Sequence, residues 1–317
     1  MRSKWILLLA VMLLSIISIS AQQEAEYTLR YDGQLRSYIL HLPPQYDGET
    51  LLPVVFVLHG GGGNGEQADA MSGFAAKGDV EGFITVFPNG SGRRARQNAL
   101  LTWNAGFCCS LARENNVDDI GFFAELIDDL LATYAIDPDR VYVTGMSNGA
   151  MMTHFLGGQL SDRIAAIAPV AGAAGGQQSP DADLIMAAMP DHPINVLMIN
   201  ARDDEAVPYN GGQTDLGTFG EEFVVISAGE SLAFWQAAND CDPDAVMTSE
   251  RGNGVATEQY YECASGAAVA LISVSEGGHS WPGSQQDRRM GDDPTQAISA
   301  TDIIWEFFKD HPKVSIE

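Results

Sequence analysis

The chain has 317 residues, 45% of them hydrophobic, enough to bury the core of one sizeable α/β domain. It carries 42 Asp plus Glu against 17 Lys plus Arg, a formal charge of −25 at pH 7. A field of that sign repels nucleic acid and anionic membrane surfaces and excludes both as partners.

The first 21 residues read as a secretory signal: Arg2 and Lys4, an apolar run from Trp5 to Ile19 broken only by Ser15 and Ser18, then a small-residue cleavage site at Ser20-Ala21. The run is shorter than the roughly 20 residues a membrane-spanning helix needs, although an uncleaved anchor is the alternative. No Cys follows it, which argues against a lipoprotein. Cleavage would leave residues 22–317 as a single α/β-hydrolase catalytic domain with 15 basic and 42 acidic residues, a net −27. The expected product is secreted and extracellular, with periplasmic or cell-surface retention as variants, and monomeric. Its acidity suits solubility; tolerance of salty water, where screening weakens self-repulsion, is the sharper alternative.

Residues 27–31 and 36–42 alternate as an antiparallel hairpin turning at Asp32-Gly33. Continuous apolar runs follow at 54–58, 83–87, 141–144, 164–170, 194–199 and 269–274, separated by helix-like stretches. That alternation predicts a mostly parallel central sheet with helices on both faces. Helices are expected over 118–134, 148–160, 229–238 and 301–309. In the first of these, Ile120, Phe123, Leu126, Ile127, Leu130 and Leu131 recur at helical spacing and form core rather than a cofactor box. The connection 172–193 is short, with one helical patch at 183–189, so no large lid is expected; the excursions 89–116 and 205–227 would wall an open cleft.

Four cysteines in an exported chain suggest disulfides. Cys241 and Cys263 flank a polar, Gly-containing excursion and are expected to pair, for about 3 kcal/mol by the chain-entropy estimate. Cys108 and Cys109 are adjacent, and a vicinal disulfide and free thiols are both open.

Residues 141–149 run from a β-branched strand into Gly145-Met146-Ser147-Asn148-Gly149, the Gly-x-Ser-x-Gly turn that holds a serine out for attack. A serine nucleophile needs a base, and the base needs an orienting acid. Of six histidines, His41, His154, His192 and His311 lie away from a strand end suited to the task, and His59 looks structural. His279 follows the last strand in a Gly-rich turn and is the expected base. The acid should follow the strand at 194–199, where Asp203, Asp204 and Glu205 stand together. Asp204 is the choice and Asp203 the alternate. The order Ser, Asp, His is that of α/β-hydrolases. Gly60 to Gly63 follow the first buried strand, where that fold places an oxyanion donor; Gly61 (or Gly60) and Asn148 would supply the two backbone N–H groups. The loop has no Lys or Arg for a phosphate, no zinc spacing occurs, and the chemistry requires no cofactor or metal.

With these elements in place the chain resembles the polyhydroxybutyrate depolymerase family of secreted serine esterases, which also holds feruloyl and acetyl-xylan esterases. The likeness runs from about Tyr38 to Phe308 and is carried by 58–64, by Trp103-Asn104-Ala105-Gly106-Phe107-Cys108-Cys109, by Asp118-Asp119-Ile120-Gly121-Phe122, by 140–152, and by Gly277-Gly278-His279-Ser280-Trp281-Pro282-Gly283. Val207-Pro208-Tyr209 matches the family's stretch after the acid and puts it at Asp204, while Asn200-Ala201-Arg202 replaces the usual His-Gly-Thr. The resemblance implies a Ser147–His279–Asp204 carboxylic ester hydrolase, a Cys241–Cys263 disulfide, and Trp281 lining the cleft. His59, Gly60, Trp103 and Met146 are the other residues expected around a polymeric or oligomeric ester: a polyhydroxyalkanoate oligomer, or feruloyl or acetyl groups on xylan. A peptidase of the same fold, or a silent hydrolase-fold protein binding glycans or partners, are the competing readings.

Overall fold

The opening hairpin forms as read, with Tyr31 opposite Gln34 and both turn residues, Asp32 and Gly33, at positive φ. The computed structural model describes residues 24–92, 99–215, 222–285 and 292–314, so the leader expected at 1–21 lies outside the described residues. In chain order the elements are β1 (Glu24–Tyr31), β2 (Gln34–His41), β3 (Leu52–Leu58), α1 (Gly65–Ser72), α2 (Phe74–Glu81), β4 (Ile84–Pro88), α3 (Ser110–Glu114), α4 (Asp119–Thr133), β5 (Ile136–Met146), α5 (Asn148–Gln159) and β6 (Ala166–Val170). There follow β7 (Gly175–Gln177), β8 (Ile185–Met186), β9 (Asn195–Ala201), β10 (Gly212–Gln213), β11 (Val224–Val225), α6 (Ala228–Ala238), β12 (Met247–Arg251), β13 (Ala256–Glu262), β14 (Ala268–Val274) and α7 (Ala300–Asp310).

Ten strands join one sheet in the order β1-β2-β4-β3-β5-β6-β9-β14-β13-β12. The stretch from β4 to β14 is parallel, and each edge is finished by antiparallel strands. The six apolar runs are those parallel strands. Their side chains alternate between two cores. Val54, Phe56, Leu58, Val141, Val143, Val196 and Met198 meet α4, α5 and α6 on one face. Val55, Val57, Tyr142, Leu197 and Ile199 meet α1, α2 and α7 on the other. Burial on both faces is why these strands read as nearly continuous apolar runs. The architecture is the α/β-hydrolase fold.

The four expected helices form within a residue or two of their predicted bounds. Asp118 caps α4 by accepting from Gly121 N–H, and Ser227 with Glu230 makes a capping box at α6. Helices α1 and α2 escaped the sequence reading: each has eight residues, and Gly73 at φ 66° divides them, too short a run for periodicity to register.

One expectation is corrected. The patch at 183–189 is not helical; Ile185 and Met186 form β8, paired with Gly176 and Gly175 of β7. The missing side chains permit it, since a Cβ on Gly175 would run into the Met186 sulfur. Strands β10 and β11, from the 205–227 excursion, complete a second sheet in the order β10-β11-β7-β8. Phe107, Phe223 and Val225 pack with Met151 and Phe155 of α5 in a third core beneath it.

Cys241, three residues past α6, is bonded to Cys263, one residue past β13, as expected. Cys108 and Cys109 are bonded to each other across a cis peptide, the first of the two open alternatives.

Candidate active site

Parallel strands that end together deliver residues distant in sequence to one edge. A register line crosses the sheet through Met146, Val170, Ile199 and Ile272. Ser147 stands one residue past that line, Asp204 five and His279 seven, all on the carboxyl side. This is the edge where open α/β sheets place their ligands.

Ser147 has φ 57° and ψ −122°, a conformation that L side chains rarely adopt. Its N–H donates to Val170 O at 3.0 Å, and its carbonyl accepts from Met151 N–H at 2.9 Å, so the turn is clamped between β6 and α5. The flanking glycines are sterically required. A Cβ on Gly145 would stand 2.8 Å from Leu58 Cβ, and one on Gly149 2.5 Å from His59 O. The strained serine is therefore held by close backbone approach of β3 to the turn.

His279 Nδ1 donates to Asp204 Oδ2 at 2.9 Å. The other Asp204 oxygen accepts from Val207 N–H at 2.8 Å. Asp204 and His279 are both nearly buried. The alternate acid, Asp203, does not reach the imidazole: it accepts from the backbone amides of Gly277 and Gly278.

The Gly-rich loop lies against the serine turn. A Cβ on Gly60 would be 3.5 Å from Ser147 Cβ, and one on Gly61 3.7 Å from Asn148 Cβ. Gly62 and Gly63 spend their amides on Leu101 O and Gly60 O. Asn148 opens α5, so its N–H is one of the first-turn donors without an intrahelical partner. Its side chain pairs with a backbone: Oδ1 accepts from Trp103 N–H at 2.7 Å and Nδ2 donates to Trp103 O at 3.0 Å. That two-point contact ties the 103–109 loop to the serine turn.

Most residues expected to touch substrate belong instead to the packing. Trp103 is buried, with its indole N–H on His59 O at 3.0 Å. Trp281 is 1% exposed, donates to Thr301 Oγ1 and meets Phe74 edge-on, so it does not line a cleft. Met146 faces the α7-side core. His59 is buried, its Nδ1 donating to Gly60 O at 2.7 Å and its Nε2 accepting from Gly90 N–H at 3.0 Å. It shapes the glycine loop from behind. Of this group Gly60 alone is more than marginally exposed.

Burial pushes the His59 imidazole down to about 4 and that of His154, whose Nδ1 accepts from Trp235 Nε1–H, down to about 3. Both are neutral in the native state. Because the folded value lies below the unfolded one near 6.5, their contribution to stability is complete above that pH and is lost as pH falls below it. Between pH 6 and 5 the unfolded chain binds nearly two more protons through this pair, so stability should drop by about 2 kcal/mol. Urea unfolding at the two pH values measures the drop. His154→Gln keeps an acceptor for Trp235 without the proton and should roughly halve the drop; an unchanged slope in that variant would refute the account.

Sequence reasoning gave no role to Arg36 or Asp119. They form a buried ion pair at 2.7 Å, and the other Asp119 oxygen accepts from Asn104 N–H at 2.8 Å. Asn200, which stands where the family pattern has His, donates from Nδ2 to Gly172 O at 3.2 Å and braces the turn behind Ser147. Among the described residues no cluster of three His, Cys, Asp or Glu is placed to hold a metal, and no helix is long and apolar enough to cross a membrane.

Comparison with known proteins shows the family and the fold. The family model described as esterase PHB depolymerase matches residues 36–234. Feruloyl esterase B of Piromyces equi is 27% identical over 83% of this chain, which spans 45% of that protein. A Nocardia uniformis subsp. tsuyamanensis protein named as an esterase, NocK, is 31% identical over 79% of this chain and 72% of its own length. Poly(3-hydroxyalkanoate) depolymerase C of Paucimonas lemoignei is 32% identical over 38% of this chain and 28% of its own. Among solved structures, the acetyl xylan esterase from Aspergillus awamori shares the fold with a TM-score of 0.56 at 14% identity, over 81% of this chain and 94% of that one.

Proposed function

Because the chain belongs to the esterase PHB depolymerase family, we propose that it is a serine carboxylic ester hydrolase in which Ser147, His279 and Asp204 act together. The observation that carries this reading is the Asp204–His279 hydrogen bond at the same sheet edge as a serine held at positive φ. In this scheme His279 Nε2 takes the Ser147 proton as Oγ attacks the ester carbonyl, and Asp204 stabilises the imidazolium. The amides of Asn148 and Gly61 receive the oxyanion. The alcohol departs with the proton from His279, and water then repeats the sequence on the acyl-enzyme to release the acid.

The substrate favoured is a feruloyl or acetyl ester on an extracellular polysaccharide such as xylan, ahead of a polyhydroxyalkanoate oligomer. The likenesses that cover 83% and 72% of this chain, though only 45% and 29% of the relatives' own length, are to proteins named for the former, whereas the depolymerase match covers 38% of the chain. The leader read in residues 1–21 supports a reaction outside the cell. Initial rates on methyl ferulate, an acetylated xylo-oligosaccharide and a soluble 3-hydroxybutyrate oligomer test this, with Ser147→Ala as the blank. Faster turnover of the 3-hydroxybutyrate oligomer would reverse the substrate assignment, and rates at the blank on all three would sink the esterase reading.

A further inference from the structure

The loop that carries His279 has few apolar anchors of its own. Residues 275–280 are Ser-Glu-Gly-Gly-His-Ser, with Gly277 at φ 156° and Gly278 at φ 55°. Such a segment should be loose, because glycine brings the greatest conformational freedom to lose. Yet productive geometry requires the imidazole to be held to within about half an ångström.

We infer that Asp203 and Asp292 are positioning residues that hold the His279 loop by its backbone and so aim the imidazole; this rests on the esterase reading above. Three consecutive amides are taken by these two carboxylates. Gly277 N–H approaches both Asp203 oxygens at 3.1 Å, and Gly278 N–H donates to Asp203 Oδ1 at 2.9 Å. His279 N–H donates to Asp292 Oδ2 at 2.7 Å, and Asp292 N–H returns a bond to His279 O at 3.3 Å. Hydrogen bonds to ionised acceptors are the strong ones, and successive amides in a turn form a ready cradle for a carboxylate.

Adjacency in sequence makes Asp203 more than a loop anchor. Asp204 N–H closes a turn on Ala201 O, so residues 203 and 204 leave β9 as one unit. One carboxylate grips the His279 ring and its neighbour grips the backbone one and two residues earlier. A shift of the β9 turn therefore moves the acid and the base together and preserves their bond. Asp292 fixes the far side. It also explains the glycine at 278, where a Cβ would collide with the Asp292 carboxylate. An acidic run that served only as solvated surface would turn these oxygens outward.

The test uses the mature chain with Asp203→Ala, Asp203→Asn, Asp292→Ala and Asp292→Asn, active sites being counted by fluorophosphonate labelling. Displacing a reacting group by an ångström can cost about 100-fold, so the Ala variants should lose about 10- to 100-fold in kcat per labelled site with KM within about threefold. Asp292→Asn should recover most of the loss, since one amide oxygen can serve one N–H. Asp203→Asn should recover less, because its NH2 would face the Gly277 N–H. A readout free of turnover is the downfield proton resonance of His279 Nδ1–H, expected in wild type and Asp292→Asn and broadened away in the Ala variants. Ala variants within about twofold of wild type in kcat, with the resonance intact, would overturn the inference. So would losses that track only a lowered count of labelled sites or a lowered Tm. If wild type neither labels nor turns over an ester, the esterase reading fails, and the resonance still decides whether these carboxylates hold the imidazole.

Discussion

Ser147→Ala is expected to lower kcat on a soluble aryl ester by about 10⁴- to 10⁶-fold, because removing the nucleophile disables the whole constellation rather than one part of it. What remains is the modest acceleration from binding and oxyanion donors. Stability should barely move, since alanine keeps the Cβ and the backbone bonds to Val170 and Met151. Ser147→Gly separates the two properties further. It abolishes activity equally, but it relieves a φ of 57° that costs a residue bearing a Cβ about 1–3 kcal/mol. The glycine variant should therefore unfold at a higher temperature than wild type while being inert. Calorimetric melting of the three proteins beside single-turnover rates measures both effects. Retention of more than about 1% of activity in Ser147→Ala would show that another group attacks the ester.

That pairing of strain with function explains which parts of the molecule the sequence disclosed. The serine turn was legible because its glycines are enforced locally, by the approach of β3 at Leu58 and His59. The six parallel strands were legible because burial on both faces leaves their runs apolar almost throughout, with single buried polar residues such as Thr85, Asn195 and Ser273 and no charged one. His279 and Asp204 could be chosen because each follows such a strand. The failures have a common cause. Trp103 and Trp281 look like cleft aromatics in sequence, but whether an indole faces solvent depends on partners far away: His59 O for one, Thr301 and Phe74 for the other. The β7–β8 pairing was hidden for the same reason, as two glycines offer no periodicity to read. The roles of Asp203 and Asp292 rest on hydrogen bonds to backbone and that of Asp119 on a buried Arg36 guanidinium as well as the Asn104 amide, and a carboxylate's choice of distant partner leaves no trace in composition. Asp119 did lie in a stretch shared with the esterase family, but no chemical role could be attached to it before its partners were seen.

Asp119→Ala is expected to destabilise the fold by about 3–5 kcal/mol, the usual cost of leaving a buried charge without its partner. Arg36 is almost wholly enclosed, with its guanidinium 4.1 Å from the Phe122 ring centroid and one nitrogen donating to Asn89 O. It would keep its charge and lose its counter-ion. The Asn104 N–H would be orphaned as well. Burial outweighs the attraction of Arg36 and pushes the Asp119 carboxyl above its ordinary range, and buried pairs in general stabilise no better than well-packed apolar side chains of similar volume. Replacing both partners, as Arg36→Met with Asp119→Leu, should therefore be far milder than Asp119→Ala alone, and a double-mutant cycle by urea unfolding reads the difference. The pair joins β2, the Trp103-Asn104 segment and α4, and Trp103 in turn is the backbone partner of the Asn148 side chain. The double variant that regains stability should thus still turn over ester more slowly than wild type, because the brace behind the Asn148 amide has been removed. If its kcat matches wild type, Asp119 serves the fold alone, and the route from this ion pair to the oxyanion donors is wrong.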